Sequence, residues 1–121
     1  MPGGVEVQIF GTRKHAGTRA ALRYFAERRI RTHFVDLVER PASPGELQRF
    51  AQKFGADALV DRTSKRFSEL GLGPARYGDA KWIGLLADEP LLIRQPLTRC
   101  KLQVAIGMAP ETWAAWIATS K

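Results

Sequence analysis

The stretch Arg13-Lys14-His15-Ala16-Gly17-Thr18-Arg19 is the densest set of chemically useful groups in the 121-residue chain: one imidazole, one hydroxyl and three cations. Thr18, Ala21, Leu22, Phe25 and Ala26 recur at the spacing of one helical face, so the cluster stands at the start of an amphipathic helix over about 16–29. A helix start exposes free backbone N–H groups and about half a positive charge, and both attract anions. Arg13, Lys14, His15 and Arg19 are therefore expected to converge on one anion, with Thr18 beside them. Protonated His15 would add charge, so binding should strengthen as pH falls from about 8 to about 6, where imidazoles titrate. The same residues also read as an inert surface turn. A third reading, His15 as general base or nucleophile, has no carboxylate partner nearby in sequence.

Cys100 is flanked by Arg99 and Lys101, whose charges would lower a thiol's pKa. It is expected at the tip of a hairpin, as a loop thiol without a function. A lone cysteine excludes an intramolecular disulfide and a Cys-rich zinc module, and with only His15 and His33 as histidines no metal site is expected. His33 reads as a strand residue, and Trp113 and Trp116, three apart, read as core. Arg28, Arg29 and Arg31 complement the dipole at the end of the first helix. The chain has no RRM, zinc-finger or basic-zipper signature, so a nucleic-acid partner is not expected.

The elements that must position these groups follow from patterning. Val5, Val7 and Ile9 alternate with Glu6 and Gln8 and lead into Phe10, a strand. His33–Val38 reads as a second, making a β-α-β unit with a right-handed crossover and a parallel pair. Ser43-Pro44-Gly45-Glu46 is a helix start with a capping box and proline at the first helical position. Leu47, Phe50, Ala51 and Phe54 mark the buried face of that helix, and Gly55 closes it. Short helices fill 57–89, including Lys81–Ala87. Leu97–Arg99 and Gln103–Ile106 form a hairpin, and Pro110-Glu111 opens a last helix.

The composition, 45% hydrophobic and 26% charged, is that of one ordinary globular domain over 1–121. The net charge is +7, and it is uneven. Residues 1–40 hold eight Lys/Arg against four Asp/Glu, residues 41–89 seven against seven, and residues 90–121 four against one. Such a field serves solubility or favours an anionic partner: a small oxyanion, an acidic protein or nucleic acid. No apolar run approaches the ~18 residues that would span a bilayer, and Met1–Glu6 lacks the order of a signal peptide. The expectation is a cytoplasmic protein without a membrane partner.

The order β-α-β, helices, β-β-α resembles the ArsC/Spx family of arsenate-reductase-like proteins from Val7 to about Trp116. The residues that carry the likeness are Ile9-Phe10-Gly11, Thr18-Arg19, Val35-Asp36-Leu37, Ser43–Leu47, Asp61–Lys65, Pro96-Leu97 and Ala105-Ile106-Gly107. The resemblance implies an α/β, thioredoxin-like fold with four core strands. The core would be built from about 5–40 and 91–120, with a helical insertion at about 43–90. It also implies a cysteine at the start of the first helix, in the motif Cys-x-x-[Ser/Thr]-Arg; here the motif reads His15-Ala16-Gly17-Thr18-Arg19. A helix-terminal thiolate is that family's nucleophile, and imidazole cannot form its arsenic–sulfur or mixed-disulfide adduct. Of the family's oxyanion-binding arginines, one matches Arg62. The one before the closing-sheet proline is replaced by Gln95, with Arg94 one residue earlier, and the third aligns with Ala109. Pro96 is expected to be cis, to begin the third strand and to lie near His15. The reading that follows is a family member without the redox cysteine, a non-redox binding or regulatory protein with an anion site. The Spx branch implies a protein partner such as RNA polymerase. The alternative is a residual glutathione-dependent reductase or transferase, with glutathione as its cofactor; the small-molecule partner expected is a small oxyanion or glutathione.

Overall fold

The computed structural model describes residues 5–119. Contacts divide the chain into two units: one runs to Asp36 and resumes at Gln95, and the other is Leu37–Arg94. The first holds β1 (Glu6–Gly11), α1 (Ala16–Glu27), β2 (Arg31–Asp36), β3 (Leu97–Cys100), β4 (Gln103–Ile106) and α5 (Pro110–Thr119). Its sheet has the order β2-β1-β3-β4; β1 and β2 are parallel, while β3 runs antiparallel to both β1 and β4. This is the thioredoxin-like arrangement.

The core of this unit follows the alternation read from sequence. Val5, Val7 and Ile9 are buried with Ala21 and Phe25 of α1 and Trp113 and Trp116 of α5. Tyr24, Phe25 and Trp113 pack as an aromatic trio with centroids 5.1–5.3 Å apart, a favourable range for tilted rings. The Trp113 indole N–H donates to Thr98 Oγ1 at 3.0 Å, which satisfies two buried polar groups at once. Helix α1 lies so close to β1 that a Cβ on Gly11 would sit 2.2 Å from Thr18 Oγ1. Only glycine permits that approach.

Two expected boundaries move. β2 starts at Arg31 and stops at Asp36, so Leu37 and Val38 lie beyond it. The reason is the partner strand: the parallel register runs from Glu6↔Arg31 to Gly11↔Asp36, and β1 ends there. Helix α1 ends two residues early because Arg29 turns left-handed, with φ 58°. Pro96 directly precedes β3 rather than opening it.

The second unit contains α2 (Pro44–Phe54), α3 (Lys65–Glu69) and α4 (Asp79–Asp88), with 3-10 turns at Ala56–Leu59 and Pro90–Leu92. Leu47, Phe50, Leu59, Trp82, Leu86 and Leu92 are almost completely buried. Helices alone do not hold it: Val60 and Ile93 form an antiparallel bridge, with Asp61 N–H donating to Leu92 O at 2.7 Å and Arg94 N–H to Leu59 O at 2.8 Å. Arg66 forks onto the Glu89 carboxylate at 2.7 and 3.1 Å. That pair raises the arginine's pKa and lowers the glutamate's.

The capping box at α2 forms in full, with Ser43 Oγ accepting the Glu46 N–H at 3.1 Å and Glu46 Oε1 accepting the Ser43 N–H at 2.9 Å. Ser43→Ala is expected to cost about 1 kcal/mol. Urea denaturation at neutral pH checks this, and an unchanged midpoint would mean the cap is idle.

Candidate functional site

Where β1 ends, the chain turns: His15 N–H donates to Thr12 O at 3.1 Å. His15 is the N-cap of α1, extended at φ −84° and ψ 126°, and its Nδ1 accepts the Gly17 N–H at 3.0 Å. Histidine thus does what serine, threonine, aspartate or asparagine does at most helix starts. Since Nδ1 accepts, the proton of the neutral ring sits on Nε2. The ring must fold back over residue 17, and glycine makes room for it. A Cβ there would lie 3.0 and 3.1 Å from His15 Cε1 and Nδ1, and 3.2 Å from Gln95 O.

Gln95 closes the loop from the far side. It stands where the resemblance implies an arginine, yet its Oε1 accepts three hydrogen bonds from the loop. Thr12 N–H donates at 2.6 Å, and the hydroxyls of Thr12 and Thr18 each donate at 3.1 Å. Thr18 is fully buried and Thr12 nearly so, so both need a protein acceptor. The backbone donor fixes the amide's orientation, because only its oxygen can face an N–H. The Gln95–Pro96 peptide is cis, and Pro96 O accepts the Gly107 N–H at 2.8 Å. Gly107 takes φ 72°, a left-handed conformation that favours glycine. One sequence signal pointed to Gln95: it precedes the proline expected beside the loop.

The cations of the loop have partners of their own. Arg19 Nη1 donates to Arg13 O at 2.9 Å and braces the turn. The Arg13 guanidinium lies 4.6 Å from the Phe34 ring centroid, on β2. Lys14 is exposed. His15, Thr18, Arg13, Arg19 and Pro96 thus belong to one unit, whereas Arg62 and Arg94 belong to the other. Arg62 pairs with Asp57, and its guanidinium lies 5.5 and 5.8 Å from the Phe67 and Trp82 rings. Arg94 is exposed, and its N–H takes part in the backbone clasp.

Cys100 is not the loop thiol expected at a hairpin tip. It is the last residue of β3, paired with Gln103 across a two-residue Lys101-Leu102 turn. Lys101 takes φ 56° there, which tightens the hairpin by one residue and draws Cys100 into the sheet. It is 6% exposed, within the core of Val5, Ala105 and Trp116. Burial pushes its thiol pKa up and outweighs the opposing field of Lys101. The thiolate, which is the reactive form, is therefore disfavoured. Among the described residues no group of His, Cys, Asp and Glu side chains could hold a metal ion, and no helix is long and apolar enough to cross a membrane.

Against known proteins, the profile of the ArsC family matches residues 10–116. An arsenate reductase of Neisseria meningitidis is 27% identical over 109 residues, covering 88% of this chain and 93% of that protein. Among solved structures, an arsenate reductase from Vibrio cholerae superposes with a TM-score of 0.79 at 24% identity, covering 98% of this chain and 99% of that one. An arsenate reductase (ArsC) related protein from Brucella melitensis gives 0.69 at 19% identity, covering 95% of this chain and 97% of that one. At these identities the structural likeness speaks for the fold alone.

Proposed function

The chain belongs to the ArsC family, and from that premise we propose that it is a non-redox member, a binding or regulatory protein rather than a reductase. The observation that carries this reading is the bond from Gly17 N–H to His15 Nδ1. At the position that the resemblance gives to the nucleophile, His15 caps the helix with its imidazole. The one thiol of the chain is buried elsewhere, with its pKa raised.

The loop supports an anion site, held closed by the chain's own acceptors. Gln95 Oε1 stands where donors converge, much as an oxyanion's oxygen would, and His15 Nδ1 takes a further N–H. Lys14 and the charges of Arg13 and Arg19 would face an incoming anion from the exposed side. An acidic surface on a protein partner, RNA polymerase being the family's example, is the macromolecular form of the same chemistry.

Phosphate titration followed by amide chemical shifts tests this. Arg19→Ala should weaken binding more than Arg28→Ala, at the far end of α1. Gln95→Ala strands three donors and should cost about 2 kcal/mol of stability. Added phosphate should return part of that loss by binding the folded state. Equal responses at both ends of α1, or no phosphate rescue of Gln95→Ala, would defeat the anion site.

A further inference from the structure

We propose that the end of the sheet opposite the β1–α1 loop is a second binding site, for a compact phosphate-bearing ligand. The topology gathers its residues. β1 and β2 begin at this end and β3 finishes there, so Glu6, Arg31, Arg99 and the Lys101-Leu102 turn meet. Register then aligns the side chains. Gln8 is the cross-strand partner of both His33 and Arg99, which sets the three abreast at the roughly 4.8 Å strand spacing. Val7 and Ile9 face the core, so Glu6 and Gln8 face the other way. Glu6, Gln8, His33, Arg99 and Lys101 line a cavity of about 210 Å³.

The donor set fits a phosphate group. Arg99 Nε donates to Lys101 O at 2.8 Å, which orients the guanidinium and leaves its terminal nitrogens for a ligand. Those nitrogens make the planar fork that matches a phosphate. Gln8 and His33 add further donors on its flank, and Lys101 adds a point charge. Glu6, the one carboxylate of the cavity, can accept a hydrogen bond from a protonated phosphate oxygen. The volume admits one or two phosphate groups; cavities for drug-sized molecules start at roughly 300 Å³. Strand-borne side chains also hold their geometry better than loop-borne ones.

Charge favours an anion on this unit as a whole. The unit that contains this sheet carries ten Lys/Arg against four Asp/Glu, and the other unit nine against eight. Such a field raises the local concentration of anions, and the cavity is where it meets oriented donors. The site is independent of the loop, so its failure leaves the reading of His15 untouched.

Titration of labelled protein with inorganic pyrophosphate tests the proposal. The largest amide shifts are expected at Gln8, His33, Arg99 and Lys101. Arg99→Gln should weaken binding about tenfold, the loss of a charge-assisted contact, and Lys101→Gln should weaken it severalfold. Arg23→Gln, on the exposed face of α1, should change it less than twofold. Equal losses from Arg23→Gln and Arg99→Gln would reduce the site to a diffuse basic field and overturn the proposal. A single-stranded RNA oligonucleotide that binds more tightly than pyrophosphate, with shifts spreading along Arg19, Arg23 and Arg28, would overturn it too, in favour of an extended polyanion surface.

Discussion

Purified protein supplied with arsenate, glutathione and glutaredoxin is expected to reduce no arsenate above a blank lacking the protein. A thiolate must attack for this chemistry to begin, and losing the nucleophile of a covalent mechanism costs on the order of a million-fold in kcat. His15 cannot replace it. Its Nδ1 holds the Gly17 N–H, and an imidazole forms no arsenic–sulfur bond or mixed disulfide. Cys100 cannot replace it either, because it is buried in the core with its thiol pKa pushed up. Steady-state turnover by wild type, His15→Ala and Cys100→Ala decides the matter. Activity lost in His15→Ala would establish the residual glutathione-dependent enzyme instead. Activity lost in Cys100→Ala would mean that the core opens to expose the thiol.

Trp113→Ala is expected to lower stability by about 3–5 kcal/mol, the usual cost of emptying a large aromatic site. Trp113 has no exposed surface and packs against both Tyr24 and Phe25. Its removal also strips the donor from Thr98, whose side chain is fully buried. Against total stabilities of roughly 5–15 kcal/mol, such a loss leaves the variant near its unfolding threshold. Trp113→Phe isolates the polar part. It keeps a ring but orphans the Thr98 hydroxyl, at about 1–3 kcal/mol. Urea midpoints of the two variants measure both quantities. A loss below about 1 kcal/mol for Trp113→Ala would mean that α5 contributes little to this core.

Much of the fold is local and was legible in the residues. Ser43, Pro44 and Glu46 announce the start of α2 because a capping box closes within four residues and needs nothing from the rest of the chain. The alternation Val5, Val7, Ile9 marks the core face of β1 because side chains of a strand alternate by geometry. The helix after His15 is legible for a similar reason, and so is His15 as its first polar group. Strand ends are less local. Leu37 and Val38 suit a strand by type, but a strand lasts only as long as its partner, and β1 stops at Gly11.

By itself, then, the sequence determined the order of elements, the helix starts, the uneven charge and the imidazole at the head of α1. Each depends on neighbours within a turn or two, or on simple counting. The tertiary structure alone decided what closes the loop and what hides the thiol. Gln95 meets Thr12 and Thr18 from 83 and 77 residues away, and no local propensity encodes such a pairing. Cys100 is buried because a left-handed Lys101 shortens the hairpin and α5 brings Trp116 over the sheet. Whether a donor or a thiol is free depends on what is packed against it, and that is settled only when distant segments come together.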